Sequence, residues 1–190
     1  TDGSNIYLHK NLGLINQVFD NNIISKLKGN IAIGHTRYST AGQNNLPNSQ
    51  PLNVSGVNGE LFLGHNGNII NAEEVKELLK SLNITSFNTT SDSELIALLY
   101  ANAPGSSWGE RSEFVMGKIR GAYSLVMLTK NSLIAVRDPN GIRPLVLGKF
   151  REGYIVASET CALDHIGASF VREISPGETL EIKNNKLLST

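Results

Sequence analysis

Cysteine is nearly absent: the 190 residues contain one, Cys161. A disulfide within the chain is thereby excluded, and one thiolate cannot ligate an iron–sulfur cluster. This usage fits a reducing, cytoplasmic setting. Net charge is absent too, with 17 Lys+Arg against 17 Asp+Glu. Proteins that bind nucleic acid or anionic lipid gather positive charge, so the expected partner is a small metabolite, with no nucleic acid and no membrane. No apolar run approaches the roughly 20 residues that cross a bilayer. Thr1-Asp2-Gly3-Ser4 has neither the basic nor the apolar part of a signal peptide. His9, His35, His65 and His165 show no metal-ligand spacing, so no resident metal or cofactor is expected in this chain.

What remains is an ordinary globular balance, 40% apolar and 18% charged, in a length that suits one domain. Short β-like runs dominate, bounded by Gly, Pro and Asn. They are Asn5–His9, Ile31–His35, Leu61–His65, Tyr123–Leu128, Leu133–Arg137, Leu145–Leu147, Tyr154–Ala157 and Thr179–Ile182. Asn140-Gly141 marks a turn. Asn71, with Glu74 three residues on, opens a helix whose Val75, Leu78, Leu79 and Leu82 form one apolar stripe. Ser91 and Glu94 open a second helix with Leu95, Ile96, Leu98 and Leu99 on its buried face. A third is expected within Glu110–Ile119. Strands, then helices, then strands point to an α+β fold with helices packed on mainly antiparallel sheets.

Three polar clusters carry candidate chemistry. Gly34-His35-Thr36-Arg37-Tyr38-Ser39-Thr40-Ala41-Gly42 leaves a strand and enters a loop, where rigid scaffolds present functional groups. Arg37 offers a planar fork suited to a carboxylate and Thr40 adds a hydroxyl; the plainer role for Arg37 is a structural ion pair. Gly64-His65-Asn66-Gly67-Asn68 also follows a strand. The Asn66 amide and the Gly67 N–H are two donors able to converge on one oxygen, as an oxyanion hole requires. The plainer reading is an Asn-Gly turn. Thr90-Ser91-Asp92-Ser93-Glu94 places Asp92 near a helix start, either as a cap or as the partner of an ammonium group. Together Arg37, Asp92 and Asn66-Gly67 match the carboxylate, the ammonium and the side-chain carbonyl of glutamine or asparagine.

The order G-H-T-R-Y-S-T-A-G, H-N-G, S-D-S-E resembles the glutaminase domains of class II (N-terminal-nucleophile) amidotransferases. Two later segments are similar to the amidophosphoribosyltransferase family within that class: Arg137-Asp138-Pro139-Asn140-Gly141-Ile142-Arg143-Pro144-Leu145 and Ala157-Ser158-Glu159-Thr160-Cys161-Ala162-Leu163-Asp164. Ser175-Pro176-Gly177-Glu178 fits as well, and the resemblance runs nearly end to end. It implies that Arg37 and Thr40 bind the glutamine carboxylate, Asp92 the α-amino group, and Asn66 and Gly67 the oxyanion. Tyr38 would lie near the coupling to a synthase partner. The implied fold is a four-layer α/β/β/α sandwich of two antiparallel sheets. The implied reaction is glutamine hydrolysis, with ammonia passed to phosphoribosyl pyrophosphate in a phosphoribosyltransferase domain. That domain would lie outside residues 1–190 and use Mg2+, and a homo-oligomer is the usual assembly. The alternatives are a glutaminase serving glucosamine-phosphate or asparagine synthesis, and a glutamine-binding regulatory module without catalysis.

Members of the class begin with a nucleophilic Cys whose own α-amine, titrating near roughly 7.7–8.0, acts as base. Against that pattern this chain is expected to start late, with its first strands and Cys terminus missing, and to be inactive alone. Thr1 is not expected to substitute, because geometry decides a nucleophile more than residue type. Cys161 is expected to be a small buried hydrophobe. His35 and His65 are expected to orient loops or satisfy the core.

Overall fold

The apolar runs from Leu52 onward pair into two antiparallel sheets that lie face to face. The computed structural model describes residues 1–36 and 45–190. The larger sheet contains β1 (Leu52–Gly56), β2 (Gly59–Ile69), β3 (Gly121–Leu128), β4 (Leu133–Arg137), β8 (Thr179–Lys183) and β9 (Lys186–Ser189), in that spatial order. The smaller has β5 (Val146–Phe150) between β6 (Gly153–Ala157) and β7 (Ser169–Glu173). All pairings are antiparallel.

The period of two along each strand sorts side chains into separate cores. On β4, Ile134 and Val136 enter a core shared with the helices α3 (Ala72–Ser81), α4 (Asp92–Asn102) and α5 (Trp108–Met116). Leu133 and Ala135 point the other way, into the space between the sheets, where they meet Leu147, Leu180 and Ile182. On β5, Val146 turns away from that space toward Leu163 of α6 (Thr160–Ile166). Helices, sheet, sheet and helix therefore stack in four layers, the α/β/β/α architecture expected from the resemblance.

Several local expectations change. Asn5–His9 and Ile31–His35 are not strands, because no ladder forms on either among the described residues. The second still alternates: Ile31 and Ile33 pack against the inter-sheet core. The stretch before residue 30 instead forms two short helices, α1 (Ile15–Val18) and α2 (Asn21–Lys26). Asn71 precedes α3 but caps nothing with its side chain. Its amide bridges the main chain of Lys118 and Arg120 instead, at 2.9 and 2.8 Å. Around α4 burial is nearly complete from Ser93 to Ala101, so no single stripe describes it. The unforeseen capping box belongs to α5, where Ser107 and Glu110 satisfy each other's main chain. Cys161, expected to be buried, is exposed in the first turn of α6. Its thiol lies 3.4 Å from the Glu159 carboxylate, which pushes its pKa up.

Candidate active site

The decisive local feature is the length of β2. Asn66 and Gly67 do not form a turn; the strand runs through them to Ile69, with Asn66 opposite Ser124 and Gly67 opposite Tyr123. Gly67 has φ +146°, and a Cβ there would come within 2.0 Å of the Ala122 carbonyl oxygen. Only glycine lets β2 approach β3 this closely.

β1 pairs with β2 only as far as Leu63, so among the described residues no strand covers the same edge of β2 beyond it. Main-chain N–H groups of alternate residues point to the same side of a strand. At His65 the N–H is taken by the Gln50 carboxamide oxygen, 2.6 Å away. At Ile69 it is taken by an Asp92 carboxylate oxygen, 3.0 Å away. The Gly67 N–H lies between them on that edge, which the main chain of Tyr123 does not share: both its polar groups bond to Asp138.

That edge opens into a cleft of about 420 Å³, lined by residues from 34–36, β2, the start of α4, and Arg143 and Ser158. Asp92 is the first residue of α4, and Ser91 takes the cap by accepting from Ser93 N–H. Besides the Ile69 N–H, the Asp92 carboxylate has the Ser91 and Ser93 hydroxyls at 3.5 Å. A carboxylate has about four acceptor sites, so this one keeps capacity for a cation from the cleft. Beneath it His65 is buried, its Nδ1 2.9 Å from Ser93 Oγ and 3.9 Å from Asp92. Burial lowers its pKa to about 4 against the opposing pull of Asp92. The ring is thus neutral at pH 7 and acts as structure, as does His35, whose Nε2 lies 3.1 Å from the His65 carbonyl.

The opposite wall is anchored by Asp138, which is fully buried. Its carboxylate accepts from the N–H groups of Asn140, Ile142 and Arg143 within 3.3 Å, and from Tyr123 at 3.4 Å. Arg137 and Ser124 hold the Arg143 carbonyl, at 2.9 and 3.2 Å. The loop that carries Arg143 is therefore pinned at both polar groups of that residue.

Asn66, Gly67 and Asp92, found apart in the sequence, line one cleft. Arg37, Tyr38 and Thr40 fall outside the described residues, although Gly34, His35 and Thr36 lead to the cleft's edge. Gln50, Ser93, Arg143 and Ser158 were not anticipated as lining residues. Arg143 and Ser158 lie in segments that served only as family signatures, and nothing local in the sequence marks Gln50. Thr1 is elsewhere: its hydroxyl is within 3.0 Å of the carbonyls of Asn5 and Lys130 and lines a different groove. Cys161 does not line the cleft either.

Residues 35–165 match a family model described as a glutamine amidotransferase domain. The amidophosphoribosyltransferase of Synechocystis sp. is 43% identical over 192 residues, covering 98% of this chain and 39% of that protein. That of Bacillus subtilis is 42% identical over 190 residues, covering 100% of this chain and 40% of its own. The chain thus spans about two fifths of the length of these curated relatives. Among solved structures, the B. subtilis glutamine phosphoribosylpyrophosphate amidotransferase complexed with ADP and GMP superposes with a TM-score of 0.90 at 40% identity. It is covered over 41% of its chain and covers 100% of this one. A structure described as the allosteric regulatory enzyme of purine biosynthesis gives 0.92 at 42% identity, with the same coverage.

Proposed function

This chain belongs to the glutamine amidotransferase domain family, and from that premise we propose that it is the glutaminase part of an amidophosphoribosyltransferase. The observation that carries the reading is the meeting, in one cleft, of the Asp92 carboxylate with the Asn66-Gly67 edge of β2. Asp92 takes the α-ammonium of glutamine. Arg37 and Thr40 take the α-carboxylate, and Tyr38 couples the site to the synthase part. The side-chain carbonyl then lies toward the Gly67 N–H and the Asn66 amide.

The chemistry is amide hydrolysis through a covalent step. A thiolate from an N-terminal Cys outside these 190 residues attacks the amide carbon, and its own α-amine carries the proton. Negative charge collects on the carbonyl oxygen, where Asn66 and Gly67 donate to it; one such donor is typically worth about 10²–10³ in rate. The C–N bond breaks, the nitrogen leaves protonated as ammonia, and water hydrolyses the thioester to glutamate. Ammonia then reacts with phosphoribosyl pyrophosphate in a second domain to give phosphoribosylamine, the first step of purine synthesis. Any Mg2+ requirement belongs to that domain. A cytoplasmic homo-oligomer is the assembly consistent with this reading, and sedimentation of the full-length protein tests it.

The full-length protein should release ammonia from glutamine, and the 190-residue chain alone should not. Asp92→Asn should raise KM for glutamine at least tenfold, as should Arg37→Ala. Steady ammonia release by the short chain, or unchanged KM in both variants, would refute the assignment.

A further inference from the structure

We propose that Gln50 is a positioning residue for the oxyanion hole: its carboxamide replaces the next main-chain pair of the β1–β2 ladder, and so sets where the Gly67 N–H points. The proposal rests on the function proposed above and adds a residue to it.

The ladder between β1 and β2 runs from Gly56 opposite Gly59 to Leu52 opposite Leu63. Two residues further along that register, His65 would face position 50. There the side chain, in place of the main chain, completes the pair. Gln50 Oε1 accepts from His65 N–H at 2.6 Å, and Gln50 Nε2 donates to the His65 carbonyl at 3.4 Å. Donating and accepting at one residue is what a hydrogen-bonded pair of an antiparallel ladder does. The second Nε2 hydrogen reaches Ser93 Oγ at 3.3 Å, and that hydroxyl also meets His65 Nδ1. The carboxamide is buried and uses its acceptor and both donors.

The consequence is geometric. A main-chain strand continued past Leu52 would have run on to cover the Gly67 N–H. A side chain stops after one residue. Gln50 closes the edge of β2 at His65, Asp92 closes it at Ile69, and the donor between them is left for the cleft. Through Ser93 the same carboxamide also ties β2 to the first turn of α4, next to Asp92. Glutamate has the same shape but no N–H, so its second oxygen would oppose the His65 carbonyl. Alanine would leave both main-chain groups of His65 without this partner.

The test measures glutamine hydrolysis by the full-length protein, with Gln50→Glu and Gln50→Ala against wild type. Expected is a fall in kcat per folded molecule of about 10- to 100-fold, the scale of a misplaced catalytic group. KM for glutamine should stay within about threefold, because Asp92 keeps its own bond to Ile69. A protonated glutamic acid regains a donor for the His65 carbonyl. The ratio of Gln50→Glu to wild-type kcat should therefore rise as pH falls from about 8 to about 6, while the Gln50→Ala ratio stays flat. His65, His35 and Asp92 face this position in both variants and in wild type, so they largely cancel in the ratios. Unchanged kcat per folded molecule in both variants, or a flat Gln50→Glu ratio, would overturn the proposal. If neither variant folds, Ser93→Ala removes one contact of the carboxamide; a severalfold drop in kcat is expected, and none would overturn it. Wild-type protein that fails to hydrolyse glutamine would instead sink the function proposed above.

Discussion

Alanine at Gly67 places a methyl carbon 2.0 Å from the Ala122 carbonyl oxygen and 2.8 Å from the Tyr123 Cα. Both are backbone atoms, so no side chain can swing away, and β2 must part from β3 at the cleft. Positive φ costs an L-residue roughly 1–2 kcal/mol. Forcing the strands apart adds about 1–3 kcal/mol, the usual scale of overpacking. The sum is about 2–5 kcal/mol, which at roughly 2–4 °C per kcal/mol lowers Tm by about 4–20 °C. Gly59 supplies the control: its φ is +94°, but a Cβ there meets nothing within 4 Å. Gly59→Ala should lose only the backbone part, about 1–2 kcal/mol. Thermal unfolding of the two full-length variants, alongside their ammonia release from glutamine, compares them directly. Gly67→Ala should also lose about 10²–10³ in kcat, and Gly59→Ala should keep wild-type turnover. Equal Tm shifts in the two variants would refute the claim that close strand approach, in addition to φ, demands glycine at Gly67.

Three further outcomes follow from the same geometry. The folded-state pKa of His65 is depressed to about 4, below its ordinary 6.5, so the unfolded chain binds the proton more tightly. Its contribution is fully present above about pH 6.5 and is lost as pH falls toward 4. This amounts to about 3 kcal/mol at the 1.36 kcal/mol of each pKa unit. Urea midpoints across that range should fall in wild type and flatten in His65→Asn. Asp138→Asn turns one buried acceptor into a donor facing main-chain N–H groups, and should cost about 2–4 kcal/mol in chemical denaturation. Cys161 should react with a thiol reagent in the folded protein, faster as pH rises and the thiolate forms, with the onset shifted upward because Glu159 raises its pKa, and Cys161→Ser should keep full glutamine hydrolysis.

The sequence was most legible where local pattern and tertiary context agree. Leu133–Arg137 is a strand with the predicted bounds because it is apolar on both faces and buried on both. Tyr123–Leu128 and Thr179–Ile182 lie within the strands that form. Asn5–His9 and Ile31–His35 have strand composition, but a strand exists only through its neighbour, and no local pattern reports a neighbour. Asn66-Gly67 shows the reverse case: the dipeptide signals a turn, yet pairing with β3 carries the strand straight through it. Asp92 could be read as a cap because the residue that takes the cap, Ser91, is adjacent. Gln50 was invisible because its role depends on His65 and Ser93, 15 and 43 positions away.

The three cores of the sandwich are very unequal, and this bears on how the molecule comes apart. The core under α3, α4 and α5 gathers most of the buried apolar side chains, whereas α6 rests on the smaller sheet mainly through Val146, Leu163 and Ala168. Cooperative units of a protein open in the order of their apolar contact. The layer of β5, β6, β7 and α6 is therefore the one to loosen first, while β2 and α4 hold until global unfolding. Amide protons of β6 and α6 should exchange with solvent well before those of His65 or Leu99. Sub-global opening would then leave Asn66, Gly67 and Asp92 assembled, with that wall of the cleft on the slowest-melting part of the chain.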